Sequence, residues 1–179
     1  MKKNVDVKKL TYTALLIAVG ILLPQVFHLI GGSAAGQIFL PMHIPVMLAG
    51  FLLGPVSGLV TGLITPIASS LLTGIPAAAI LPFMTIELIG YGVCSGIFYR
   101  LLQKYKAGLF LALILTMIAG RALNALALVV AGSVFGLTVS PAVSVIFALG
   151  TGFPGIAIQL ILIPVLMLAL RKAGYSYDK

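Results

Sequence analysis

The sequence predicts an all-α integral membrane protein: a six-transmembrane-helix bundle, both termini cytoplasmic, forming one membrane domain over residues 1–179. Three observations carry that expectation. Hydrophobic residues make up 61% of the chain and charged residues 8%, against about 25% charged in a soluble domain. With a mean hydropathy of +1.22, such a chain cannot cover its own surface in water, so its solvent is the lipid bilayer. The apolar runs fall into six stretches near the roughly 20 residues a crossing helix needs. Finally, the lysines and arginines gather on one side of those stretches.

The first span, about 9–30, follows Lys2, Lys3, Lys8 and Lys9 and ends at Gly31-Gly32. The second, 38–53, and the third, 55–74, are short and are separated by Gly54-Pro55, a turn signal. Gly50, Gly54, Gly58 and Gly62 recur every fourth residue across that break. Once Gly54-Pro55 divides them, Gly58-x-x-x-Gly62 remains as a close-packing face on span three. Gly74-Ile75-Pro76 precedes the fourth span, 77–102, and the fifth covers 107–131. Ser140-Pro141 opens the sixth, 141–170, which is long enough to tilt or to be interrupted near Gly150–Gly155.

Arg100, Lys104 and Lys106 surround the turn between spans four and five, and Arg171, Lys172 and Lys179 follow span six. Segments 31–37, 74–76 and 132–140 carry no charge. Cytoplasmic loops retain Lys and Arg, which places both termini in the cytoplasm and fits an even number of spans. Lys2, Lys3, the apolar run and Ser33-Ala34-Ala35 imitate a cleavable secretory signal. The apolar region is longer than a signal core, however, and cleavage would leave five spans. The net charge of +8 therefore marks membrane orientation and implies no nucleic acid. Cys94, the single cysteine, lies in an apolar run and reads as a small packing residue.

Two charges break the pattern. Glu87, in Met84-Thr85-Ile86-Glu87-Leu88-Ile89-Gly90-Tyr91, is one of three acids, and the others, Asp6 and Asp178, lie near the chain ends. Arg121 is the one basic residue of eleven outside the cytoplasmic segments. Each lies about ten residues from the outer end of its span, roughly 15 Å deep. Spans four and five are consecutive and antiparallel, so the two charges can meet. Alone, each costs about 2.5–3.5 kcal/mol at a helix centre. The pair reads either as a clamp between helices or as part of a binding site. Tyr91 follows Glu87 by four residues and Asn124 follows Arg121 by three, which gives each charge a polar neighbour on its own helix face. Thr151, among the glycines of Gly150–Gly155, lies at a similar depth. A polar pocket between spans four, five and six is the simplest expectation.

His43 and His28 lie near the outer ends of spans two and one, where either could hydrogen-bond a ligand. Neither has the companions of a metal site. Gln37, Ser69, Ser70 and Thr73 are further outer-half polar candidates, each more simply read as satisfied locally. Ala14-x-x-x-Ala18 on span one is a small-residue strip. No phosphate-binding Gly-x-x-x-x-Gly-Lys-Ser/Thr loop, Gly-x-Ser-x-Gly or His-Glu-x-x-His appears. The inventory suits binding and translocation rather than catalysis, with no cofactor and no metal.

Over essentially its whole length the chain resembles the substrate-binding S components of energy-coupling factor (ECF) vitamin transporters. The similarity rests on about 180 residues in six spans, on Ala14-x-x-x-Ala18, on "QIFLPMHIPVMLAGFLLG" from Gln37 to Gly54 and on "SSLLTGIP". The last two read like the broad folate, pantothenate and pyridoxine branch. The resemblance implies a plasma-membrane subunit that captures a small water-soluble vitamin from outside. It implies docking through Ala14 and Ala18 on a transmembrane coupling subunit driven by two ATPase subunits, so ATP hydrolysis belongs to the partners. It also implies an outer-half ligand site in which Glu87, Tyr91, Arg121, Asn124 and Thr151 fall in matching places. Arg121 suits a pantothenate-like anion, although a nearly neutral Glu–Arg pair fits an uncharged or zwitterionic vitamin as well. Two other classes stay open: a stand-alone proton-coupled transporter relaying through Glu87, and a structural subunit without a ligand.

Overall fold

A computed structural model describes residues 7–135 and 141–173. The terminal residues Lys2, Lys3, Asp6, Asp178 and Lys179, and most of the uncharged 132–140 segment, lie outside the described residues. Six helices follow one another: α1 (Val7–Phe39), α2 (His43–Leu53), α3 (Pro55–Thr73), α4 (Leu81–Leu102), α5 (Gly108–Phe135) and α6 (Pro141–Lys172). Segments long and apolar enough to cross a membrane cover Val7–Gly32, Ala34–Leu53, Pro55–Thr73, Leu81–Leu102, Gly108–Ser133 and Gly150–Lys172. This is an all-α, multi-pass membrane protein, and large apolar side chains such as Leu29, Leu71, Leu72 and Ile161 face outward from it.

Several boundaries differ from the sequence expectation: α4 begins at Leu81 rather than 77, α5 runs to Phe135 rather than 131, and the larger changes are in the first two helices. The helix expected to end near residue 30 continues to Phe39 beyond a kink, where Gly31 and Gly32 leave helical geometry and Gly32 takes φ 63°. Only glycine adopts that conformation without a Cβ penalty. Beyond the kink the chain folds back, with His28 against Gly36 and Phe27 against Phe39 at 5.1 Å between ring centroids. The second helix accordingly begins at His43 and has 11 residues, so at 1.5 Å per residue it covers only about half of a hydrocarbon core roughly 30 Å thick. It is buried along nearly its whole length, from His43 to Phe51, at the centre of the bundle. Of the two alternatives for the long sixth span, tilt or interruption near Gly150–Gly155, no interruption is seen: α6 is continuous through Pro154.

The seam between α3 and α4 is made of backbone. A Cβ added at Gly58 would meet the Gly92 carbonyl, one at Gly92 would meet the Gly58 carbonyl, and one at Gly62 would meet Leu88. Gly50 of α2 packs on Ser95 and Gly92 in the same way, and Gly96 on Gly54 and Pro55. With no hydrophobic drive between helices in lipid, such close approach supplies the packing energy. At the basic end, the Arg171 guanidinium lies 5.0 Å over the Tyr99 ring, and Tyr99 meets Phe51 edge-on at 5.6 Å. These contacts join α2, α4 and α6 there and leave the opposite end to open into a cavity.

Candidate functional site

The turn between α3 and α4 builds one wall. Ser69 and Ser70 donate their hydroxyls to the carbonyls of Ile75 (2.6 Å) and Pro76 (2.8 Å), folding Gly74–Pro76 back over the end of α3. Thr73 donates to Ser69 O and accepts from Gln25 Nε2 at 2.9 Å, which ties α1 to α3. Opposite, the stretch after the kink is held to α6: Gln159 Nε2 donates to Leu40 O at 3.3 Å, and Gly155 lets the backbone at Ile38 and Phe39 come close. Between these walls lies a cavity of about 650 Å³.

Its polar base comes from three helices. Phe83, Met84 and Glu87 recur at helical spacing on one face of α4, and Arg121, Asn124 and Leu128 on one face of α5. Glu87 Oε1 lies 3.0 Å from Arg121 Nη1. Glu87 Oε2 accepts from Asn124 Nδ2 at 2.8 Å, and the same amide reaches Phe83 O at 3.4 Å. His43, the first residue of α2, brings Nε2 within 3.7 Å of Oε1. The side chains of His43, Glu87 and Arg121 keep 3%, 6% and 13% of their exposure, so the cluster is an interior one. The ion pair replaces two lone charges that lipid would not tolerate with one compact dipole.

The cavity gathers Gln37, His43, Glu87, Arg121, Asn124 and Thr151, and also His28. Tyr91 stands behind it: its ring packs edge-on against His43 at 5.0 Å and covers Gly120, so it supports His43 rather than lining the space. The expected pocket between spans four, five and six is wider than that. Pro24 and His28 of α1, the Leu40–Met42 link and the Gly74–Ala77 turn also enclose it. These mostly apolar and backbone contributions carry no sequence signature, although the paired turn signals bracketing spans one and three were the available hint.

Three groups at the base have polar atoms with no hydrogen-bond partner among the described residues: Arg121 at Nε and Nη2, His43 at both ring nitrogens, and Glu87 at Oε1, whose contact with Arg121 is ionic. Apolar walls around a few convergent polar groups, in a volume of this order, are what small-molecule sites have. Among the described residues no cluster of three His, Cys, Asp or Glu side chains could hold a metal. Ala14 and Ala18 are exposed on α1, whose inward face carries Thr13, Gly20 and Pro24 instead.

A family model described as "ECF transporter, substrate-specific component" matches residues 8–167, most of the chain. No curated protein and no solved structure matches it.

Proposed function

Because the chain belongs to the ECF transporter substrate-specific components, we propose that it captures a small water-soluble vitamin in the cavity above Glu87 and Arg121. The observation that carries this reading is the convergence of polar side chains from α2, α4 and α5 at the base of a cavity of about 650 Å³. The cavity lies at the end of α4 and α6 opposite Arg100 and Arg171. With the basic end cytoplasmic, it opens to the outside of the plasma membrane. Pantothenate or a vitamin like it is the candidate ligand. The exposed Ala14-x-x-x-Ala18 strip receives the transmembrane coupling subunit, and two ATPase subunits supply the energy.

Mass spectrometry of the detergent-purified chain should find a co-purifying small molecule. Vesicles containing this chain alone should not accumulate it, whereas vesicles that also hold the coupling and ATPase subunits should. The absence of any bound compound, together with no ligand-induced rise in melting temperature, would remove the reading.

A further inference from the structure

We propose that the basic end of the bundle holds an anionic phospholipid, its phosphate on Arg171 and Lys172 and an acyl chain along the exposed face of α6. This site lies at the end of the bundle opposite the cavity, and it does not depend on what the cavity binds.

The headgroup half is built on a cation held in place. Arg171 is exposed, yet its guanidinium is fixed 5.0 Å over the ring of Tyr99, which is itself buried and backed by Phe51. Stacking restrains a side chain that would otherwise lose rotamer freedom on binding, and it leaves the edge of the planar fork for phosphate oxygens. Lys172 follows directly and is also exposed. Lys104 and Lys106 add positive charge from a link pinned by Tyr105 N–H to Leu102 O and Gly108 N–H to Tyr105 O, both at 3.0 Å. Lys104, Lys106 and Lys172 have no ion pair among the described residues. Glu87 is the one acid among those residues, and along α4 it lies twelve positions from Tyr99, about 18 Å. The charge of Arg171 and these lysines is left for an outside anion to meet.

What selects a lipid over a soluble phosphate lies along the helix from those charges. Ile158, Ile161, Leu162 and Val165 line a shallow apolar hollow of about 340 Å³ on α6. Val165 and Lys172 are seven residues apart, two helical turns, so the hollow shares the face of Lys172 and starts about 10 Å from it. Leu168, 56% exposed, continues the apolar track between them. Half of a hydrocarbon core is about 15 Å deep, so an acyl chain descending from Lys172 reaches the near part of the hollow. A soluble phosphate would use the cations and leave the track bare. A phospholipid uses both, and basic groups at the membrane surface draw its anionic members.

The chain has no tryptophan, so Leu168→Trp makes a fluorescent reporter of this track alone. Leu126→Trp, at a residue 58% exposed on α5, reports on ordinary lipid-facing surface. Each full-length variant is reconstituted in phosphatidylcholine containing rising fractions of phosphatidylglycerol, with either lipid brominated in its acyl chains to quench the indole on contact. At Leu168→Trp, phosphatidylglycerol should be preferred about 30-fold, which at 1.4 kcal/mol per decade is about 2 kcal/mol, one for each basic side chain near the headgroup. At Leu126→Trp the two lipids should quench almost equally. Adding Arg171→Gln and Lys172→Gln to the Leu168→Trp chain should abolish the preference. Lys172→Gln alone should cut it to about fivefold, and this variant, which leaves the Tyr99 stack in place, decides the matter should the double change not fold. Inorganic phosphate and glycerol phosphate should not relieve the quenching. Equal quenching by both lipids at Leu168→Trp would overturn the proposal, as would an equal preference at Leu126→Trp, which would mean a diffuse surface attraction. A preference that survives Lys172→Gln unchanged would also overturn it, and relief by the soluble phosphates would make this a phosphate site with no lipid.

Discussion

Helix α4 meets α3 and α5 along two seams of opposite construction. Toward α3 it offers Gly92 and the backbone at Leu88, and no side chain intervenes where Gly58 and Gly62 arrive. Toward α5 it offers Glu87, whose carboxylate reaches Arg121 and Asn124 across the gap. The first seam gains energy from close approach and leaves no room for anything else. The second adds a charged contact to its own packing of Gly90 on Leu123 and Gly120 on Tyr91, and leaves a cavity beside the pair. The dry seam fixes α4, and the wet seam keeps its polar atoms in register against Tyr91, which packs on His43 and Gly120. A site of this kind needs the supporting element rigid and the reacting side chains preset.

The largest effect should come from filling the dry seam. Gly92→Ala places a Cβ against the Gly58 backbone, which cannot swing aside as a side-chain tip can. Overpacking costs about 1–3 kcal/mol where side chains can adjust, so a backbone clash should exceed that range. Gly92→Leu should give no folded protein. Gly150, inside α6 with nothing within 4 Å of its added Cβ, is the control: Gly150→Ala should leave stability unchanged or raise it by up to about 1 kcal/mol, the helix-propensity gain of alanine over glycine. Melting curves of the two alanine variants in one detergent compare seam and open helix directly.

Next in size is the wet seam. Arg121→Met leaves Glu87 buried and uncompensated, which costs about 3–5 kcal/mol. Combining it with Glu87→Gln should restore most of that stability, since no lone charge remains. Ligand affinity of the double variant should nevertheless fall by two or more decades, at about 1.4 kcal/mol per decade. Calorimetric titration showing unchanged affinity would reduce the pair to a clamp and erase the functional difference between the seams.

That contrast was only half legible in the sequence. Glu87 and Arg121 stand out because an apolar run makes any charge conspicuous, and equal depth on consecutive antiparallel helices brings them together. Gly58-x-x-x-Gly62 also announces a close-packing face. Its counterpart Gly92, with Gly96 beside it, passes unnoticed because glycines among apolar residues look alike until the facing backbone is known. Likewise, the Gly31-Gly32 break reads as the end of a span, yet the chain resumes a helix and folds back on Phe27 and His28. Turn signals locate a change of direction but not where the chain goes afterwards. Tyr91, four residues from Glu87, shares its helix face as the spacing says, while its ring lies against His43 and Gly120 and outside the cavity lining.

A smaller effect is expected at the rim. Thr73→Val removes the acceptor for Gln25 Nε2, the link between α1 and α3, and the donor to Ser69 O. Loss of a hydrogen bond of this kind costs about 0.5–1.5 kcal/mol, and the exposed position of the Gln25 link argues for the lower half. Thr73 does not line the cavity, whereas its neighbour Gly74 does. Melting should therefore shift modestly while ligand affinity stays unchanged. A large affinity loss would show that the rim, and not only the charged base, sets the shape of the site.

The smallest effect on folding should come from the other small-residue strip, and it sharpens the comparison most. Ala14 and Ala18 resemble the seam glycines in size and four-residue spacing, yet both are exposed, on the side of α1 turned away from Thr13, Gly20 and Pro24. Ala14→Leu and Ala18→Leu therefore meet no backbone of their own chain, and stability should stay within about 0.5 kcal/mol. Equilibrium binding should be intact as well, because neither residue lines the cavity. Uptake with the coupling and ATPase subunits present should be lost, since the added side chains would hold a partner helix away from the close approach that small residues permit. Small residues that abolish folding when enlarged close a seam within the chain. Small residues that abolish only uptake keep a surface free for another protein. If Ala14→Leu or Ala18→Leu lowers ligand affinity in the isolated protein, the strip belongs to the first class, and the docking face must be sought elsewhere on the bundle.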